Sequence, residues 1–77
     1  MDIGSHGKRY RTLRASDLER DGLALELESG LDTLAEVFYC DATGEFTISL
    51  FSRDLPLPVI EQFIAEARQS LVPVREA

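Results

Sequence analysis

A single cysteine, Cys40, excludes an intrachain disulfide and fits a reducing compartment. A single histidine, His6, stands near the start of the chain, so a zinc site built from His and Cys lacks several ligands, and Cys40 has no structured histidine to activate it. No apolar run approaches the roughly 18 residues of a bilayer-spanning helix. Residues 1–7 have no basic region followed by an apolar stretch and do not read as a signal peptide. Gly22, Gly30 and Gly44 stand singly between apolar stretches, which is no Gly-rich phosphate loop. Repeats and low-complexity segments are absent as well. With 77 residues and 44% hydrophobic side chains, the chain is one globular domain with a thin core. Residues 1–7 are expected to be flexible and residues 74–77 frayed. The compactness suits a bacterial cytoplasmic protein.

Charge is unevenly spread. Residues 1–14 hold Lys8, Arg9, Arg11 and Arg14 against Asp2, a net of +3, whereas residues 15–77 carry a net of −9. An acidic body repels nucleic acid at long range, so only the first strand offers phosphate contacts.

Three stretches alternate with period two and one has helical period. Residues 9–14 read as a first strand. Ser16-Asp17-Leu18-Glu19 matches a capping box and predicts a short helical turn ended at Gly22. The rival is a hairpin with Asp21-Gly22 at its tip, in a register that sets Asp17 opposite Glu26, a like-charge pair that weighs against it. Leu23 to Glu28 alternates leucine inward with glutamate outward, followed by a five-residue loop over 29–33. Leu34 to Cys40 and Glu45 to Phe51 flank a four-residue turn, Asp41-Ala42-Thr43-Gly44. That turn sets Tyr39 against Phe46, Val37 against Ile48 and Ala35 against Leu50, so one face of the hairpin is apolar throughout. A one-residue slip would mix the faces. The last element runs from Pro56 or Pro58 to Leu71. Its apolar stripe is Leu57, Ile60, Phe63, Ile64, Ala67 and Leu71, with Ser52 or Asp54 as candidate cap. The expected fold is α+β, a small antiparallel meander of three to four strands with one C-terminal amphipathic helix packed on one face.

One helix leaves the other face of the sheet uncovered. There Glu26 stands opposite Glu36, and like charges so placed repel unless a cation intervenes. The expected cation is an arginine of the first strand. Paired carboxylates can act as acid and base or hold a divalent cation, but on an outer face the plain solvated reading is preferred. Leu34, Phe38 and Phe51 fall on that same face and form a candidate partner-binding patch with Glu26 and Glu36. A second copy, the N-terminal segment or another protein is the expected cover. The sequence therefore reads as a non-catalytic protein without cofactor or metal, working by protein–protein contact. The alternative is a nucleic-acid-associated regulator using Lys8, Arg9, Arg11 and Arg14.

Overall fold

The computed structural model describes residues 2–5 and 8–71. An antiparallel meander of four strands, β2 (Lys8–Asp17), β3 (Gly22–Ser29), β4 (Asp32–Cys40) and β5 (Phe46–Leu50), is followed by one helix, α1 (Leu57–Ser70). A short strand, β1 (Asp2–Ser5), pairs with Lys8–Arg11 and extends the sheet to the order β1-β2-β3-β4-β5. Some of the stretch expected to be flexible is thus an edge strand. The residues expected to fray, 74–77, lie outside the described residues, as does His6.

The hairpin of β4 and β5 has the register that its apolar face requires, with Ala35 against Leu50, Val37 against Ile48 and Tyr39 against Phe46. Its turn is closed by the Gly44 N–H donating to Cys40 O at 2.8 Å, and Gly44 takes the positive φ, +73°, that suits glycine.

Two connections differ from the sequence reading. The capping box does not start a helical turn. β2 continues to Asp17 and turns back through Leu18–Asp21 into β3, with Asp17 opposite Gly22. Asp17 serves the turn, its Oδ1 accepting from the Arg20 N–H at 3.0 Å, while Asp21 takes φ +56°. This register puts Leu13, not Asp17, opposite Glu26, so the like-charge clash that weighed against a hairpin does not arise.

The second difference is at residues 29–33. The connection is a two-residue turn, Gly30-Leu31, with Ser29 paired to Asp32 and Gly30 at φ +62°. The register shifts by one between Leu27/Ala35 and Glu28/Thr33, leaving Leu34 as the extra residue of a β-bulge. A bulge re-aims the side chains around it. Leu34 accordingly packs against the core instead of staying on the outer face.

The core lies between the sheet and α1. Tyr10, Leu25, Leu27, Ala35, Val37 and Tyr39 meet Val59, Phe63, Ala67 and Leu71. The helix begins after Pro56, whose carbonyl accepts from Val59 and Ile60, with no side-chain cap from Ser52 or Asp54. Pro58 sits in the first turn, where its missing N–H is harmless. The helix is rotated relative to the expected stripe: Val59 is buried, whereas Leu57 is 68% exposed and Ile64 borders solvent. It is drawn toward β2, where Thr12 Oγ1 donates to Glu66 at 2.6 Å and the Arg14 guanidinium donates to Ser70 O at 3.1 Å. As a result β5 is poorly covered. Ile48 and Leu50, expected in the core, are 45% and 60% exposed.

This rotation has a measurable consequence. Val59→Ala should cost about 2 kcal/mol of stability, while Leu57→Ala should stay within about 0.5 kcal/mol of the parent. Chemical denaturation of the two variants decides it, and the reverse order would contradict the observed helix orientation.

Candidate functional site

The five residues of the expected outer-face patch are not assembled as one surface. Phe38 is only 7% exposed, because the Arg20 guanidinium lies over its ring, 4.1 Å from the centroid. Gly22 makes the other wall: a Cβ there would meet the Phe38 ring at 2.7 Å and the Tyr39 carbonyl oxygen at 2.0 Å. Leu34 is turned into the core by the bulge, and Phe51 is 61% exposed at the end of the sheet.

The carboxylates form a row across β3 and β4. Glu26 is opposite Glu36, as the alternation requires. The cation on Glu36 comes from the β2–β3 turn and not from the first strand, with Arg20 Nη2 3.1 Å from Glu36 Oε1. The same guanidinium binds Asp17 through Nε. This holds the Asp17 carboxyl below its ordinary value, chiefly through the Arg20 backbone N–H and then its side chain. The reciprocal hydrogen bonds of Asp17 and Glu36 push Arg20 up. A first-strand arginine does pair with a neighbouring carboxylate, Arg11 Nε standing 3.3 Å from Glu28 Oε1. Glu26, between these two pairs, has no ion pair among the described residues, and its pKa is raised by burial first and then by Glu28 and Glu36.

The basic residues are divided. Arg9 and Arg11 share the outer face by alternation, and Arg14 belongs to the inner face, bound at the end of α1. Lys8 begins β2. Arg9 and Arg11 border an open hollow of about 410 Å³ with Tyr10, Gly30 and Leu31. Cys40 sits at the mouth of the β4–β5 turn, where the Thr43 hydroxyl and the N–H groups of Thr43 and Ala42 hold its thiol below the ordinary value. No cluster of three or more His, Cys, Asp and Glu among the described residues is placed to hold a metal ion. No helix among them is long and apolar enough to cross a membrane.

The alternation of the sequence did not reveal the surface that stands out in three dimensions. It lies on the β5 side of the helix. Ile48 and Leu50 project from the inner face of β5 without helix cover. Ile64 faces Ile48 across a cleft of about 140 Å³ lined also by Val37, Phe46 and Ala67, with the Arg68 guanidinium 5.8 Å from the Phe46 ring. Leu57, two turns before Ile64, shares its helix face.

The backbone of β5 adds to this surface. Cys40 N–H donates to Glu45 O and Phe51 N–H to Leu34 O. Bonded pairs recur every second residue in an antiparallel ladder, so Thr47 and Ser49 also turn their polar groups to β4. The N–H and C=O of Phe46, Ile48 and Leu50 therefore point away from the sheet. Nothing in Phe46–Leu50 guards this edge, since the strand has no charge, no proline and no bulge.

The chain matches no family model, no curated protein and no solved structure.

Glu26 provides a test of the electrostatics. Its carboxyl binds a proton more tightly folded than unfolded, so its contribution weakens the fold as pH rises through the range just above its ordinary value of 4.5. Glu26→Gln should therefore raise stability at pH 7, by about 0.3 kcal/mol once solvent screening of a partly exposed carboxylate is counted. The gain should shrink toward zero as pH falls below the carboxylate range. Thermal melts across pH measure it, and a variant less stable than the parent at pH 7 would contradict the assignment.

Proposed function

We propose that the chain is a small non-catalytic cytoplasmic protein that acts through protein–protein contact, and that its contact surface is the β5 side of the molecule. The observation that carries this reading is the coincidence, on one edge, of unpaired backbone groups and exposed apolar side chains. Natural sheets guard exposed edges with charge, proline or bulges, and β5 has none of these. Ile48, Leu50, Leu57 and Ile64 gather on this side, whereas isolated exposed residues such as Leu18 and Leu31 sit at separate turns. The outer face is a weaker candidate because its one well-placed aromatic ring, Phe38, is already covered by Arg20.

Site-specific photo-crosslinking in cells tests the reading. A photoreactive residue at Leu50 should give protein adducts, and the same residue at Leu13, exposed on the outer face, should give few. Adducts at Leu13 with none at Leu50 would overturn the assignment of the surface.

A further inference from the structure

We infer that the partner at the β5 edge is a second copy of this chain, joined to the first by antiparallel pairing of the two β5 strands about a two-fold axis through Ile48. The inference rests on the reading of the β5 side as the contact surface and adds the identity of the occupant.

The first ground is backbone registry. Only Phe46, Ile48 and Leu50 direct N–H and C=O groups outward, so only these can exchange hydrogen bonds with an added strand. In a symmetric antiparallel pair, Ile48 facing Ile48 of the second copy is the register that uses all three. Phe46 then faces Leu50 of the second copy, and Leu50 faces its Phe46.

The second ground is side-chain pattern. Phe-Thr-Ile-Ser-Leu reads apolar, hydroxyl, apolar, hydroxyl, apolar from either end. The two-fold therefore sets apolar against apolar on the helix side and Thr47 against Ser49 on the other, the cross-strand pairings that favour a sheet. Both helices stay on the same face of the enlarged sheet, and the uncovered Ile48 and Leu50 acquire neighbours there.

Charge supplies the third ground. The strand is preceded by Glu45 and followed, past Phe51 and Ser52, by the pair Arg53-Asp54. Antiparallel pairing carries the Glu45 end of each copy to the Arg53 end of the other. A parallel arrangement would bring Glu45 against Glu45. An acidic chain of net charge −6 thus meets itself along an uncharged strand, where its self-repulsion is least. The other side of the sheet is different: where β2 runs past β1 it carries Arg14 and Asp17. Each chain has a single β5 edge, so the pairing closes at two copies.

Light scattering on a sizing column across a concentration series is the first test, with a dimer and no larger species expected. Ile48→Lys puts like charges face to face at the axis and should raise the dissociation constant at least about tenfold, while Leu13→Lys should leave it unchanged. To separate interface from folding, Ile48→Lys is mixed with Ile48→Asp: each alone should be monomeric, and the mixture should regain a dimer. A parent that stays monomeric throughout, or a dimer indifferent to Ile48→Lys, would overturn the inference. So would a mixture of two folded variants that remains monomeric. A monomeric parent whose Leu50 photoadducts all contain another protein would overturn the second copy as partner and leave the contact surface standing. Absence of adducts at Leu50 would remove both.

Discussion

One helix cannot cover five strands. With side chains a helix is about 10 Å wide, and strands are spaced about 4.8 Å apart, so it screens two or three of them. Where α1 settles therefore decides which region of the sheet is core and which is surface. It settles toward β2, held there by Thr12 on Glu66 and Arg14 on the carbonyl of Ser70, and by Val59, Phe63, Ala67 and Leu71 packed on the sheet. Ile48 and Leu50 on the inner face of β5 are left largely to solvent, and Ile64, on the helix face it shares with Leu57, turns toward Ile48. The candidate contact surface is a consequence of that lateral position.

The outer face has no helix and solves its problem with one arginine. Arg20 reaches from the β2–β3 turn, bridges Asp17 and Glu36, and covers Phe38. A charged side chain with an apolar stem and a planar head suits this dual task. Gly22 completes the arrangement by giving the ring room. The outer face thus resembles a small satellite cluster, closed by a cation, more than an open docking site.

Much of the fold was legible in the residues. Alternation in 23–28, 34–40 and 45–51 located three strands, and the four-residue turn at 41–44 set the register of the last two, because only that register puts Ala35, Val37, Tyr39, Phe46, Ile48 and Leu50 on one side. Other features were hidden for physical reasons. Ser16 and Glu19 fit a helix cap while the same segment fits a hairpin turn, and only pairing with β3 decides between them. Leu34 has the spacing of an outer-face residue because a bulge leaves no mark on a period-two pattern. The stripe beginning at Leu57 has helical spacing, but Val59, Phe63, Ala67 and Leu71 are spaced equally well, and the choice depends on where the sheet lies. The open side of β5 was invisible for the same reason: periodicity reports the face of a strand, not which strand the helix prefers.

Amide hydrogen exchange along β5, followed as protein concentration is raised, tests the central claim most directly. Thr47 and Ser49 should be protected at every concentration, because their N–H groups face β4. Phe46, Ile48 and Leu50 should exchange quickly when the protein is dilute and become protected as it is concentrated. If these three amides exchange at the same fast rate at all concentrations, the β5 edge is not where this protein meets itself.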